Sequence, residues 1–173
     1  MFAPRTVILP TASDLVRIDA AKISDAAQVD GKCRFALRLW QRGDRVSDAQ
    51  DFLTKMRRFY APEPAHMAET IGADVQAWRM VDFQVHDFVM DGADWGGHCI
   101  GDVRPITARV VAEQTYFMTW QKAHPIFFTV TMPGRMYHRV LFPFFDETGQ
   151  VGRIVNLIKP VLKTRTLAEI LSA

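Results

Sequence analysis

Cysteine is scarce in this chain, and that scarcity removes two classes of protein at once. Cys33 and Cys99 are the only two. They stand far apart and in no C-x-x-C spacing, so neither a disulfide framework nor a thiolate zinc site is expected, and reduced, partly buried thiols are the plain reading. An excess of one charge is lacking too. A formal net charge of +2 over 173 residues is too small to mark nucleic acid as a partner. No apolar run is long enough to cross a bilayer, so neither a transmembrane helix nor a membrane partner is expected. The opening Met1-Phe2-Ala3-Pro4-Arg5 lacks the basic start and long apolar core of a secretory signal, which makes a cytoplasmic location the expectation. HExxH, the nucleophile elbow and the phosphate-cradling glycine loop are missing as well. Gly92, Gly96, Gly97 and Gly101 are too irregularly spaced for a nucleotide fingerprint and read as loop punctuation. The five histidines show no short ligand spacing, so no metal site is expected. These absences favour binding or sensing over catalysis.

What the chain does contain is material for a core. With 49% hydrophobic and 23% charged residues it can bury a substantial interior and is not disordered. Its clearest order lies near the end, in three apolar, β-rich runs at 126–132, 136–145 and 151–161. Pro133-Gly134 separates the first pair and Asp146-Glu147-Thr148-Gly149 the second. Glycine takes the positive φ that tight turns require, so an antiparallel three-stranded meander is predicted. Ahead of it, Pro105 suits a first helical turn. Ile106, Val110, Gln114, Phe117 and Gln121 then share a face with Val111 and Met118, which predicts a helix to about residue 123. Residues 78–90 predict a strand, with Val81, Phe83, Val85 and Val89 alternating against Met80, Asp82, Gln84 and His86.

The first third is helical by pattern. Ser13-Asp14 is placed to cap a helix carrying Leu15, Ile18 and Ala26 on one stripe and ending near Asp30-Gly31. A second helix is predicted over 32–42 from Phe35, Ala36, Leu39 and Trp40, with Arg34, Arg38 and Arg42 as a solvated opposite face. A third follows Ser47-Asp48 and buries Phe52, Leu53, Met56, Phe59 and Tyr60, until Pro62 and Pro64 break it. Short helices are predicted at 65–71 and 166–171. The expected organisation is a helical extension or cap over 1–64, then an α+β domain over 65–173 with a curved antiparallel sheet flanked by helices.

The run Pro143-Phe144-Phe145-Asp146-Glu147-Thr148-Gly149-Gln150-Val151-Gly152-Arg153-Ile154-Val155 resembles the closing hairpin of PAS sensory domains. The long helix, His124-Pro125 and the strand after them are similar to the helix-to-strand passage of the same fold. Trp40-Gln41-Arg42 is similar to a Trp-Arg segment of stand-alone bacterial PAS-like proteins, mostly alphaproteobacterial. The resemblance spans roughly 78–161. It departs at the start, where the family has two paired strands and this sequence shows one; the other is expected around 75–80 or within 82–90.

The resemblance implies a non-enzymatic sensory or regulatory module, holding a small molecule between sheet and helices and signalling through protein contacts. It implies a homodimer or a regulatory protein partner, engaged through N-terminal helices that carry Leu15, Ile18, Phe35, Leu39 and Trp40. Candidate ligand-pocket residues are Phe128, Tyr137, His138, Val140, Phe142 and Asn156, with Arg139 and Thr129 on the same strands; strand register decides which of them point inward. The residues name no cofactor. Some haem-binding members take an axial histidine from the helix before the closing strands, and residues 106–123 contain none. Lys32-Cys33-Arg34-Phe35 echoes the Asn-Cys-Arg-Phe of light-sensing members but has lysine for asparagine and lies too far from the hairpin. Two other readings stay open. One is a small NTF2-like α+β enzyme or binder in which Asp82, His86, Tyr137 and His138 converge as acid–base groups. The other is an interaction domain with no ligand. Strand order separates the PAS arrangement, with its final strands in mid-sheet and the long helix across one face, from the NTF2-like cone.

Overall fold

The meander forms where the sequence predicts it, as β4 (Ile126–Met132), β5 (Arg135–Phe145) and β6 (Val151–Pro160), all antiparallel. The computed structural model describes residues 15–60, 64–86 and 92–161. Gly134 (φ +75°) and Gly149 (φ +82°) supply the left-handed backbone of the two turns. Asp146 locks the second turn. Its Oδ1 accepts the N–H groups of Thr148 and Gln150 at 2.8 and 3.0 Å and the Thr148 hydroxyl at 2.7 Å.

Three further strands extend the meander into a six-stranded sheet. β1 (Arg17–Lys22) pairs with β4, β2 (Ala65–Glu69) with β6, and β3 (Arg79–Asp82) with β2, giving the order β1-β4-β5-β6-β2-β3. The chain is therefore α+β with a curved, wholly antiparallel sheet. Two strands replace helices predicted from the sequence. Within the helix expected at 65–71, Ala65–Glu69 form β2 because the open edge of β6 offers a full ladder from Ala65↔Leu157 to Glu69↔Arg153; four of its five residues are buried, which erases the alternation that marks a half-exposed strand. Likewise the single helix expected up to residue 30 is β1, paired along all of β4 except Met132, and then a short α1 (Ile23–Val29). Pairing across the sheet outweighs weak local propensity in both cases. The strand predicted over 78–90 is ordered as β3 only to Asp82. Residues 87–91, the Ser13-Asp14 cap and the helix expected at 166–171 lie outside the described residues.

Helices cover both faces of the sheet. α1, α2 (Gly31–Trp40) and α3 (Ala49–Tyr60) pack on one face, where Phe52, Leu53 and Met56 meet Val140, Phe142 and Val155. Asp30 starts α2 by accepting the N–H groups of Lys32 and Cys33 at 2.8 and 3.2 Å, and it also binds Lys159 of β6. Phe59, expected inside, is 45% exposed and stacks on Phe35 at 4.1 Å between ring centroids. On the other face lies α4 (Ile106–Lys122), against Phe128, Leu141 and Ile154. Its buried stripe is Ala108, Val111, Ala112, Thr115, Tyr116 and Thr119, while Ile106 and Phe117 are exposed. The face predicted from the largest apolar residues is thus corrected. Small side chains turn toward the sheet, and the Thr115 and Thr119 hydroxyls are satisfied within the helix by the carbonyls of Val111 and Thr115 at 2.7 and 2.8 Å.

β5 runs beyond the end of β4, whose last pair is Ile126↔Leu141. Past that point Pro143 costs no ladder bond, because no strand faces its missing N–H. Its carbonyl instead accepts the Trp40 indole N–H at 2.6 Å, and the Phe145 N–H donates to the Asp44 carbonyl at 2.7 Å.

Candidate functional site

Register gathers an unusual set of polar residues beneath α4. Along β5, Tyr137, Arg139 and Leu141 face α4, and along β6 Asn156 and Ile158 do the same. His66 of β2 pairs directly with Asn156, and Arg139 with Ile158. Thus His66, Asn156 and Arg139 occupy neighbouring positions on three adjacent strands. Met80, Phe83 and His86 close one side, and Ala108 and Ala112 of α4 form the roof. The short alanine side chains leave an internal space of about 30 Å³, enough for a water or the head of a small ligand.

All three polar residues are deeply buried: His66 and Asn156 are 1% exposed and Arg139 is 4% exposed. The Arg139 Nε donates to Asn156 Oδ1 at 3.2 Å, and its guanidinium lies 5.3 Å from the centroid of the Tyr116 ring. No salt bridge engages Arg139 among the described residues. Arg57, by contrast, is neutralised by Asp82 at 2.7 Å. His66 Nδ1 accepts the Gln84 N–H at 3.0 Å; a neutral ring then carries its proton on Nε2, and that atom is buried without a partner. Asn156 Nδ2 and the Tyr116 hydroxyl have no well-formed hydrogen bond either, though the hydroxyl is close enough to interact with both Asn156 and Arg139. Burial pushes the Tyr116 hydroxyl up to about 12, against the opposing pull of Arg139, so it keeps its proton. Arg139, Asn156 and His66 thus present hydrogen-bond donors to the space, and among the described residues no acidic side chain lines it.

Burial, reinforced by His86, Arg139 and Arg57, holds His66 well below the usual histidine range. The folded protein therefore keeps His66 neutral where the unfolded chain already takes up a proton. Stability is complete above the unfolded value and falls as pH drops below about 6.5, by up to ~1.4 kcal/mol per pH unit until the folded value is reached. His66→Gln should remove this sensitivity. Urea unfolding at pH 7.5 and 5.5 is expected to show wild type losing about 1 kcal/mol more than the variant; equal losses would contradict it.

Of the six pocket candidates from the sequence, Tyr137 and Asn156 line this space. Phe128 is buried in the same layer without lining it. Val140 and Phe142 project from the opposite face into the core under α1–α3, and His138 shares that face, beside Phe127 at 4.7 Å. The acid–base quartet of the NTF2-like reading does not gather: Asp82 turns to Arg57 and His138 lies across the sheet, while His86 and Tyr137 border the space. Arg139 was visible in the sequence only as one polar strand residue. His66 was missed because its segment reads as helix, and Tyr116 because the wrong face of α4 reads as buried. The signal for Arg139 was period two, since placing Tyr137 inside carries Arg139 with it.

Two larger grooves open on the surface, one at Arg45 and Asp146, the other between α1 and the β5–β6 strands. Neither holds a buried unpaired polar atom. Among the described residues no three His, Cys, Asp or Glu side chains cluster as a metal site, and no helix is long and apolar enough to cross a membrane. Comparison with protein-family models, curated proteins and solved structures finds no match to this chain.

Proposed function

We propose that the chain is a PAS-like sensory module, non-enzymatic, that takes a small ligand into the space between α4 and the sheet. One observation carries the reading: a buried polar cluster, Arg139, Asn156 and His66, at an internal space with apolar walls and no acidic side chain among the described residues that line it. The strand order supports it. β5 and β6 lie in mid-sheet, with the long helix across one face, as the sequence resemblance implies; β1 is an addition on the far edge of β4. The output of such a module is a protein contact, with a second copy of the chain or with a regulatory protein. A route to it exists through the sheet, because Arg139 and Val140 are successive residues of β5 facing α4 and the N-terminal helices respectively.

A fragment screen of neutral and charged compounds, followed by backbone amide NMR of the full chain, tests the reading. Shifts are expected to concentrate at His66, Phe83, Ala112, Arg139 and Asn156. A screen whose hits never disturb those residues would remove the ligand-binding role and leave the interaction-domain reading in its place.

A further inference from the structure

We infer that the ligand of this space is a short-chain monocarboxylate, its carboxylate seated on the Arg139 guanidinium. The inference rests on the ligand-binding reading above and adds the chemistry of the guest. A guanidinium at 4% exposure is costly to bury unless an anion answers it. Its Nε donates to Asn156 and the Tyr116 hydroxyl is a second polar neighbour, but neither is an anion, so the fork that matches a carboxylate meets no acid among the described residues. Among the described residues no acidic side chain lines the space, and the acid on β3, Asp82, is committed to Arg57 and Gln50.

The neighbours fit the same guest. Of the side chains lining the space, Asn156 Nδ2 carries two hydrogens and His66 Nε2 one, and neither atom has a well-formed hydrogen bond. Asn156 is held in this orientation because its oxygen already accepts from Arg139, and His66 because its other nitrogen accepts from Gln84. A group that only accepts hydrogen bonds satisfies both of them together with Arg139. Charge sets the valence. Arg57 is already paired and His66 is held neutral, so among the described residues that line the space Arg139 is the one cation, which favours a monoanion over a phosphate dianion. Size and wall chemistry set the tail. About 30 Å³ of room beside Met80, Ala108, Ala112 and Ile158 limits the guest to the smallest acids and gives their carbon end an apolar wall.

The test titrates the full chain with sodium formate, acetate, propionate and butyrate, and in parallel with the matching primary amides, at constant ionic strength. Calorimetry reads affinity, and amide NMR reads location. At least one acid is expected to bind tenfold or more tighter than its amide, with shifts at His66, Arg139 and Asn156, and Arg139→Gln should lower the acid's affinity tenfold or more and erase its preference over the amide. Acid and amide binding equally at those residues would overturn the carboxylate assignment and leave the ligand-binding reading standing. Neither series reaching the site, while fragments do, also overturns the assignment alone. If no fragment reaches it either, both readings fall together. The acid-to-amide comparison uses the natural sequence, so it decides the matter even if the variant fails to fold.

Discussion

Exchanging Arg139 and Asn156 together for methionine and leucine is expected to stabilise the ligand-free chain by about 1–4 kcal/mol while abolishing carboxylate binding. The two replacements keep approximate volume and remove the Nε–Oδ1 bond with both of its partners, so no polar group of the pair remains unpaired. Single changes should behave differently. Asn156→Leu alone strips the Arg139 Nε of its acceptor and is expected to cost about 1–3 kcal/mol. The sign reversal between single and double variants is the diagnostic, and a double-mutant cycle in urea measures it directly. If the double variant is less stable than either single one, the buried pair is part of what holds the fold together and is not a site maintained for a guest. A gain in stability with loss of binding is the trade expected where buried polar groups persist for function.

Phe142→Ala is expected to destabilise the chain by about 3–5 kcal/mol without changing which small molecules bind. Phe142 is fully buried, and its ring lies 5.0 Å from that of Phe52, between the sheet and α3. Removing it opens a cavity on the face away from Arg139, so the transfer and cavity costs arise in a layer that no pocket residue enters. Denaturant unfolding gives the magnitude, and the acid-to-amide affinity ratio gives the selectivity. A loss under about 1 kcal/mol would mean that the N-terminal helices pack loosely on the sheet. An altered ratio would mean that the two faces communicate.

The parts of this fold that were legible in the sequence are those decided locally. Gly134 and Gly149 mark turns by backbone freedom alone, and the runs beside them need only each other to pair. The same holds for α2, which Asp30 caps from the preceding residue. β1 and β2 are of another kind. Arg17–Lys22 is a strand because β4, more than a hundred residues later, has an open edge, and Ala65–Glu69 because β6 has one. No local pattern announces such an edge. α4 misled for a further reason: its inward face is chosen by how closely a helix can approach a sheet, which favours alanine and threonine over the larger Ile106 and Phe117. The site inherits both difficulties. Tyr137 and Asn156 were named because they lie on the legible strands, whereas His66 and Tyr116 lie on the two elements whose placement depends on distant partners.

The overhanging end of β5 carries a consequence for life at high concentration. A strand that outruns its neighbour presents bare carbonyls to any extended peptide nearby, an invitation to strand addition between copies. Here Pro143 offers no N–H to a visitor, the Trp40 indole occupies its carbonyl, and Asp44 takes the amide of Phe145. The passage from α2 to α3 thus works as a stopper against fibril-like stacking, built from the chain's own backbone and a single tryptophan.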